Sequence, residues 1–428
     1  MIYMNHISTP PSENFCYRIG PSRLHGEVHL SGAKNSVLRL LAASLLTSER
    51  ITLSNYPNEL LDAKVHVEML SRLGKTSITE SGGITISENQ PLNTDLQWDQ
   101  RSIRNTLLVL GALTTRFGEG RVPLPGGCNL GDRKYDLHEM LLKKFGATVK
   151  MQDGYLSASL SGRMQGCDIH LPIRSTGATE NGIICGCLAE GVTNIWNPHI
   201  RPEILDLIGF LRTMGAEIEV YGQERIEITG KESLNGTKYE VLADNMEALT
   251  WLIAAVVTNG TIEIHNFPFG DLEVPLIHLR ESGARFFRGD SSLIVSGGCC
   301  YPFEISTGPY PGINSDMQPL FAVFGAAARG QSVIVDLRFP GRYGYAAELA
   351  KMGMQYRTED NLLMIDGGTS LRGSRVRALD LRAGIALVLA GLSSHAGETI
   401  IEDAWQVERG YNSLVAKLKN LGGDIDYA

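Results

Sequence analysis

A short pattern of apolar and polar positions recurs six times along the chain. Each copy runs from a leucine through a polar stretch and an apolar residue to a glycine, and then into a strand-like segment, as in LSRLGKTSIT and LKKFGATVKM. The pattern predicts an amphipathic helix that ends just before the glycine, where a left-handed backbone costs least. The six glycines follow one another about 70 residues apart and are Gly74, Gly146, Gly215, Gly283, Gly353 and Gly422.

A second pattern lies half a repeat earlier, where an apolar helix ends in a polar turn and continues into a strand. CLAEGVTNIWN and AVVTNGTIEIHN are two of its copies. Each repeat is therefore predicted to hold two helices and about four strands, enough for a small α/β layer. The first helix is nearly all apolar, as in WLIAAVV and ALVLAGL, and such a helix is buried on every side. We expect sheets outside, helices inside and three repeats in each globule.

Length and composition indicate two or more globular domains. A length of 428 residues exceeds what one hydrophobic core usually serves, and 43% hydrophobic with 20% charged residues is typical of globular proteins. No apolar run reaches the roughly 18 residues of a membrane span. Residues 1–15 lack the basic start and apolar stretch of a signal peptide, and we expect them to form a frayed extension.

Cysteine usage and net charge narrow the setting further. The seven cysteines form an odd, irregular set, which suits a reducing compartment better than a disulfide framework, and we predict a cytoplasmic protein. A formal net charge of −8 argues against nucleic acid as a partner, because binding a phosphate backbone requires a cationic surplus. Any anionic ligand must therefore be bound by a local cluster of cations.

The starts of the buried helices carry the candidate chemistry. Comparable positions in successive repeats hold Lys34, Arg104, Thr179, Asp244, Asp316 and Arg382. Aspartate and threonine can simply cap a helix there, and capping alone explains Asp244 as well as a functional role does. The helix dipole opposes a cation at a helix N-terminus, so Lys34 and Arg382 need a compensating interaction there. An anion bound by the helix N-termini and by these two cations would supply it.

Motifs for nucleotide-binding folds and for metals are missing from the sequence. No GxGxxG follows a predicted strand and no GxxxxGK[ST] occurs, so neither a dinucleotide fold nor a P-loop is supported. Cys185-Gly186-Cys187 and Cys299-Cys300 lack a second pair at zinc spacing, and the ten histidines show no paired spacing. We predict no metal site.

The segment LPGGCNLGDRKYDLH sets a cysteine among glycines. Its proline and three glycines predict a loop with Cys128 at the tip. Exposure near Arg133, Lys134 and His138 would lower the pKa of the thiol and raise its reactivity. A surface cysteine without a function is the alternative.

These segments resemble the enolpyruvyl transferases, and within them the UDP-N-acetylglucosamine 1-carboxyvinyltransferase branch. The matching stretches extend from about residue 18 to the C-terminus and are LHGEVHLSGAKNSVLRLLAASLL, the LPGGC loop with its arginine and DLH, STGATEN, NSDMQ, DLRAGIALVLAG and ERGYNSL. The cysteine loop separates this branch from the shikimate-using relatives. The resemblance implies transfer of the enolpyruvyl group of phosphoenolpyruvate to the 3-hydroxyl of UDP-N-acetylglucosamine in peptidoglycan (cell-wall) synthesis, with release of phosphate and no metal or organic cofactor.

The resemblance also implies a fold. Relatives of this kind are two-domain inside-out α/β barrels built from six βαβαββ repeats, three per domain, which close around the substrates. The repeat count agrees with the one made from the glycine pattern. We place one discontinuous domain at residues 1–33 plus 243–428, and the other, with the Cys128 loop, at residues 34–242.

Catalytic roles carry over onto matching positions. Lys34 and Asn35 match the SGAKN pair that contacts both substrates. Cys128 matches the mobile-loop cysteine that is thought to donate a proton and that fosfomycin attacks. Asp316 matches the aspartate beside the acceptor hydroxyl, a candidate general base. Addition of a hydroxyl to the enol ether requires such an acid and such a base.

Substrate-binding roles carry over in the same way. The cations around the phosphate and carboxylate of phosphoenolpyruvate match Arg104, Arg133, Arg342, Arg382 and Arg409, with Arg409 also counted among the catalytic residues. Arginine forks suit both anionic groups. On the nucleotide side the matches are Asp136 near the uracil, the neighbouring His138, the backbone of Ser175, Thr176 and Gly177, and Arg338 beside the sugar.

Departures from the family pattern cluster on the acceptor side. A lysine is replaced by Ile173, with Arg174 one place along, and an apolar residue beside the sugar by Arg338. Two histidines are replaced by Tyr345 and Gln406. Ordinary sequence drift explains these changes as well as a changed acceptor does.

Three hypotheses of function follow. The first is transfer to UDP-N-acetylglucosamine. The second is transfer to another nucleotide or nucleotide-sugar hydroxyl, as in relatives from nucleoside-antibiotic pathways, and a cation at Arg338 would favour it. The third is a non-catalytic paralogue that binds a nucleotide sugar and regulates. Retention of Lys34, Cys128, Asp316 and Arg409 argues against the third, because binding alone does not require both proton-transfer groups.

Overall fold

The computed structural model describes residues 15–100, 102–125 and 135–428, in which helices and strands alternate. The helices are α1 Lys34–Ala43, α2 Leu61–Leu73, α3 Thr106–Phe117, α4 Asp136–Lys144, α5 Thr176–Gly186, α6 Pro202–Thr213, α7 Asn245–Val257, α8 Phe269–Glu281, α9 Gln318–Ala327, α10 Gly344–Lys351, α11 Leu381–Leu392, α12 Trp405–Glu408 and α13 Leu414–Asn420. The strands are β1 Tyr17–Ile19, β2 His25–His29, β3 Ile51–Ser54, β4 Lys75–Glu80, β5 Gly83–Glu88, β6 Glu119–Pro123, β7 Thr148–Gln152, β8 Tyr155–Ser159, β9 Asp168–His170, β10 Val192–Trp196, β11 Glu217–Tyr221, β12 Arg225–Thr229, β13 Thr237–Glu240, β14 Thr261–His265, β15 Arg285–Arg288, β16 Ser292–Ser296, β17 Glu304–Ser306, β18 Gln331–Val335, β19 Gln355–Glu359, β20 Leu362–Asp366, β21 Arg375–Arg377, β22 Thr399–Glu402 and β23 Ile425–Tyr427.

The order of elements repeats along the chain. Strand, helix, strand, helix and two strands follow one another from β2, from β9, from β13 and from β17. The copy from α3 to β8 begins with its helix, and the order of the elements after that helix is the same as in the other copies. The last copy ends at β23, against which the N-terminal β1 pairs antiparallel.

All six glycines of the repeated pattern follow a helix and have positive φ. The angles lie between 83° at Gly422 and 108° at Gly353. This is the left-handed region that favours glycine, because it has no Cβ to clash with the backbone. The predicted helix ends are confirmed.

Burial separates the two helices of a repeat. In the repeat from α3 to β8, α3 buries every residue from Thr106 to Thr115, whereas α4 buries only His138, Leu141 and Leu142. A helix without a polar face must be surrounded by other elements, while an amphipathic helix can keep one side in water. The prediction of one buried and one amphipathic helix is confirmed for this pair.

The chain divides into two compact units. Unit 1 contains Met1–Leu30, Met246–Gly308 and Gly312–Ala428, and unit 2 contains Ser31–Asn245 with Pro309–Pro311. We predicted the divisions at 33/34 and 242/243, whereas these units divide at 30/31 and 245/246. At these two boundaries the difference concerns only residues 31–33 and 243–245. Under both divisions β2 stays with its parallel partner β14 in unit 1, and β13 stays with its parallel partner β3 in unit 2.

Each unit contains three of the sheets formed by the described residues. In unit 1 the strand orders are β21-β22-β1-β23, β15-β16-β14-β2 and β17-β18-β20-β19. In unit 2 they are β11-β12-β10-β9, β13-β3-β5-β4 and β6-β8-β7. Parallel and antiparallel pairs occur in the same sheets, so the fold is a mixed α/β fold.

None of the helices formed by the described residues is long and apolar enough to cross a membrane.

Candidate active site

Lys34 begins α1 in unit 2 and is only 8% exposed. Its Nζ lies 2.7 Å from Oδ2 of Asp62, which is itself buried in the first turn of α2. The negative charge of Asp62 offsets the unfavourable position of a cation at a helix N-terminus. Asp62 was missed in the sequence, where an acidic residue in the first turn of a helix is ordinary. Asn35 follows Lys34 and is half-buried.

Asp244 contributes to the same helix end. The backbone N–H of Lys34 donates to Oδ2 of Asp244 at 3.2 Å, across 210 residues of sequence. The preceding residue, Ala33, has no side chain to cap the helix. Capping is therefore part of the role of Asp244, but the helix that it caps is α1.

His138 lies on α4 and is buried. Its Nδ1 is 3.1 Å from the amide nitrogen of Asn181. Because that amide nitrogen can only donate, Nδ1 accepts and the ring proton is on Nε2. Burial, together with the nearby charge of Arg104, lowers the pKa of His138 to about 3. The imidazole is therefore neutral at physiological pH.

The predicted nucleotide loop, residues 175–177, consists of the N-cap and the first two residues of α5, and Gly177 faces His138. Ser175 is the N-cap of α5, and its side chain accepts from the backbone N–H of Ala178. A Cβ at position 177 would lie 3.0 Å from Nε2 of His138, so Gly177 allows the loop and the ring to approach closely. The hydroxyl of Thr176 lies 2.9 Å from Nδ1 of His199.

Two further predicted residues of unit 2 lie at helix starts. Arg104 precedes α3 and is half-buried, and its charge acts on His138. Asp136 is the first residue of α4 and is exposed, where the helix dipole favours a carboxylate. Among the departures in this unit, Ile173 is 49% exposed and Arg174 donates from Nε to Oδ1 of Asn197 at 3.3 Å.

Asp316 and two arginines form the charged cluster of unit 1. Oδ1 of Asp316 lies 2.8 Å from Nη1 of Arg342, and Oδ2 lies 3.5 Å from Nε of Arg382. Burial lowers the pKa of Arg342, but the charge and hydrogen bond of Asp316 and the charge of Asp380 more than offset this, and the net shift is upward. The cluster thus holds Arg342 and Arg382 beside the carboxylate of Asp316, with the charge of Asp380 also acting on Arg342.

Helix starts position this cluster as they do in unit 2. Asp316 precedes α9, and Arg382 lies in the first turn of α11, where its backbone N–H donates to Oδ1 of Asp380 at 2.7 Å. Asp380 caps α11 and places a negative charge beside the arginine. The nearby carboxylate of Asp380 thus explains how a cation can lie at the start of α11.

Two further predicted residues of unit 1 are Arg338 and Arg409, one exposed and the other buried. The exposed guanidinium of Arg338 is 5.6 Å from the ring centroid of Phe339, and that of Arg342 is 5.7 Å from the same ring. Arg409 is 3% exposed and donates from Nη1 to Oε1 of Gln406 at 3.0 Å. Gln406, a departure from the family pattern, is thus a neighbour of a predicted catalytic arginine.

Tyr345, another departure, is fully packed. Its hydroxyl donates to Oε1 of Gln318 at 3.0 Å, and burial raises the pKa of the phenol well above its usual value. The tyrosine therefore acts as a neutral hydrogen-bond donor. The hydroxyl of the tyrosine that replaces the family's histidine is thus bound by a residue of the same unit.

Cys128 and Arg133 lie outside the described residues. Their predicted roles in proton donation and anion binding stay predictions. In the three described ranges no group of three or more histidine, cysteine, aspartate or glutamate side chains is arranged to hold a metal ion.

The family model that matches is EPSP synthase (3-phosphoshikimate 1-carboxyvinyltransferase), over residues 19–418. The chain therefore belongs to this family of carboxyvinyl, or enolpyruvyl, transferases and is an enzyme of that class.

Individual relatives refine the comparison. The chain is 38% identical over 410 residues to the UDP-N-acetylglucosamine 1-carboxyvinyltransferase of Enterobacter cloacae, covering 95% of this chain and 97% of the relative. The crystal structure of the enolpyruvyl transferase NikO from Streptomyces tendae matches with a TM-score of 0.87 at 26% identity, covering 97% of this chain and 98% of that one. EPSP synthase from Acinetobacter baumannii matches at 17% identity with a TM-score of 0.74 over 97% and 100% of the chains, a likeness of fold.

Proposed function

We propose that the protein transfers the enolpyruvyl group of phosphoenolpyruvate to the 3-hydroxyl of UDP-N-acetylglucosamine and releases phosphate. The observation that carries this proposal is the 38% identity, over 95% of the chain, to a relative named for that reaction. The reaction would supply peptidoglycan synthesis. The third hypothesis, a non-catalytic regulator, is not supported by relatives that are named as transferases.

Addition followed by elimination gives each proton-transfer group a task. In the addition, Asp316 accepts the proton of the acceptor hydroxyl, and the oxygen of that hydroxyl bonds to C2 of phosphoenolpyruvate. Cys128 donates a proton to C3. In the elimination, the Cys128 thiolate takes a proton back from C3, the double bond returns and the bond from C2 to the phosphate oxygen breaks. The leaving phosphate takes the proton that Asp316 holds, so both groups are restored. Atoms and charges balance without a metal or an organic cofactor.

The cations have the second task in this proposal. Phosphoenolpyruvate carries a phosphate and a carboxylate, and phosphate leaves as an anion. Lys34, Arg104, Arg342, Arg382 and Arg409 are all buried or half-buried cations, and such groups stabilise developing negative charge more strongly than exposed ones. Arg133 of the cysteine loop would join them.

On the nucleotide side, we propose that the backbone of Ser175, Thr176 and Gly177 binds the uridine nucleotide, with Asp136 near the base. His138 is buried, and its Nε2 proton faces Gly177. Its role in this proposal is to hold the loop in position. Contact with the nucleotide itself is left to the loop backbone and to Asp136.

The finer architecture belongs to the same proposal. Three sheets in each unit and fully buried helices such as α11 support an inside-out α/β barrel of three repeats per unit. The cysteine pattern supports a cytoplasmic location.

The proposal is tested by phosphate release from phosphoenolpyruvate with UDP-N-acetylglucosamine, UDP-glucose, UDP and UMP in parallel. We expect rapid release with UDP-N-acetylglucosamine and little with the others. Treatment with fosfomycin should abolish it, and Cys128→Ser should remove the sensitivity to fosfomycin. Silence with all four nucleotides would contradict the proposal.

A second candidate is transfer to another nucleotide or nucleotide-sugar hydroxyl, such as that of a UMP-like acceptor. One observation favours it: the exposed cation Arg338 lies at a position where the family has an apolar residue beside the sugar. If the acceptor has changed, Arg338→Val should improve turnover with UDP-N-acetylglucosamine relative to UMP. An unchanged ratio would leave Arg338 as drift.

A further inference from the structure

Asp336 is a fully buried carboxylate directly after β18, and sequence analysis gave no reason to single it out. Its two oxygens accept five hydrogen bonds from the described residues. Oδ1 accepts from the Thr307 hydroxyl at 2.8 Å and from the backbone N–H groups of Arg338 at 2.9 Å and Phe339 at 3.0 Å, and Oδ2 accepts from the Ser315 hydroxyl at 2.6 Å and the Gln318 amide at 2.5 Å.

These donors belong to the segments that carry the proposed chemistry. Ser315 and Gln318 flank Asp316, the proposed base. The N–H groups of Arg338 and Phe339 begin the turn that reaches Arg342. One carboxylate therefore connects the segment of the base with the segment of the arginine that pairs with it.

The directions of the hydrogen bonds are fixed throughout this network. The Ser315 hydroxyl donates to Asp336 and lies 3.3 Å from Nη1 of Arg342, from which it accepts. The Gln318 amide nitrogen donates to Asp336, while its carbonyl oxygen accepts from Tyr345. The arginine can only donate, and the Tyr345 hydroxyl donates because the Gln318 carbonyl oxygen can only accept. Ser315 and Gln318 therefore both present donors to the oxygens of Asp336.

We propose that Asp336 is a positioning residue, which holds Asp316 and Arg342 in register for proton transfer from the acceptor hydroxyl. This inference rests on the proposed function, because it assumes that Asp316 is the base. Asparagine would place an NH₂ group against donors on one side of the network. The Ser315–Gln318 segment or the turn at Arg338 would then shift, and a displacement of about 1 Å is enough to reduce turnover by about 100-fold.

The test is Asp336→Asn, assayed by phosphate release with the acceptor that the wild type uses. We expect kcat to fall by about 100-fold while KM for phosphoenolpyruvate changes by less than about 3-fold. The acidic limb of the kcat–pH profile should move to higher pH, because a carboxylate less well paired with Arg342 has a higher pKa. A purely structural role would lower stability without moving this limb.

Tyr343→Phe is the matched control. The Tyr343 hydroxyl accepts from the backbone N–H of Asp336 and donates to the carbonyl of Asn361, but it does not contact the carboxylate. We expect reduced stability and a kcat within about 2-fold of wild type. If Asp336→Asn is as active as this control, the positioning role is wrong.

Ser315→Ala decides the case in which Asp336→Asn does not fold. It removes one donor to Asp336 and the contact with Arg342 at little steric cost. A kcat reduced by about 10-fold would support the proposal, and an unchanged kcat would overturn it. The same assays separate this proposal from the proposed function. A wild type that is inactive with every acceptor contradicts both proposals. An active wild type whose variants have normal activity contradicts only the role of Asp336.

Discussion

The two units hold their charged groups in opposite ways. In unit 2 the cation Lys34 is buried against the carboxylate of Asp62. In unit 1 the carboxylate of Asp316 lies among two arginines, Arg342 and Arg382. Unit 2 thus fixes a cation at a helix start against one carboxylate, whereas unit 1 places the carboxylate of Asp316 between two arginines. In the proposed reaction Lys34 of unit 2 only binds an anion, whereas the cluster of unit 1 combines anion-binding arginines with the carboxylate that accepts a proton.

The largest effect on activity is expected for a change of Asp316 in unit 1. Asp316→Ala removes the proposed base, and we expect kcat to fall by about 10²- to 10⁴-fold with phosphoenolpyruvate binding largely retained. Stopped-flow or equilibrium binding of phosphoenolpyruvate alongside turnover measures both. Asp366→Ala, at an exposed carboxylate of β20, is the control and should be neutral. Near-normal turnover in Asp316→Ala would remove this residue as the base.

The ion pair of unit 2 separates stability from chemistry. Asp62→Asn leaves the Lys34 ammonium buried without its carboxylate partner, and we expect the free energy of unfolding to fall by about 3–5 kcal/mol. The double variant Lys34→Met/Asp62→Leu should recover most of this stability in denaturant titrations, since neither charge is then buried. It should not recover turnover, because Lys34 binds phosphoenolpyruvate in the proposal. An active double variant would show that the pair is only structural.

Two buried histidines of unit 2 sharpen the comparison through pH. Burial lowers the pKa of both His66 and His138 to about 3, with the charge of Arg39 contributing at His66 and that of Arg104 at His138. Below pH 6.5 the unfolded chain takes up protons that the folded chain does not bind until about pH 3. Stability is therefore unaffected above about pH 6.5 and falls as pH decreases, by up to about 1.4 kcal/mol per pH unit for each histidine.

Glutamine variants distinguish the two sites. His66→Gln and His138→Gln should each weaken the dependence of stability on pH between about 6 and 4 by one proton. Only His138→Gln should raise KM for the nucleotide acceptor, because only His138 faces Gly177. Equal effects of both variants on KM would contradict a positioning role for His138.

The smallest expected effect is at Tyr345. Tyr345→Phe removes the hydrogen bond to Gln318 in the interior of unit 1, and we expect a loss of about 1 kcal/mol in the free energy of unfolding. The acceptor preference should not change, since the hydroxyl is used within the unit. A changed ratio of turnover with UDP-N-acetylglucosamine and UMP would instead make Tyr345 a specificity residue.

Local patterns were sufficient for much of the fold. A glycine after an amphipathic helix has one main structural use, so the six helix ends were predictable. An apolar segment such as ALVLAGL has no surface to present to water, so the burial of α11 was predictable as well. The candidate positions Lys34, Asp316 and Arg382 followed from the same reasoning, because each lies at the start of a helix.

Long-range pairings could not be predicted in this way. The contact of Lys34 with Asp62, the capping of α1 by Asp244 and the three side-chain hydrogen bonds to Asp336 each join residues that are distant in sequence. Nothing local distinguishes an aspartate that will be buried with donors from one that will be solvated. The parallel pairings of β2 with β14 and of β13 with β3 likewise have no local signature.

The central claim is the transfer of the enolpyruvyl group, and the most direct measurement follows its carbon atoms. The protein would be incubated with ¹³C₃-phosphoenolpyruvate and UDP-N-acetylglucosamine, with phosphate and the mass of the nucleotide sugar measured together. We predict one phosphate released for each nucleotide sugar that gains the three labelled carbons, and no gain with the 3-deoxy analogue. Phosphate released without any label on the nucleotide sugar would contradict enolpyruvyl transfer to this acceptor.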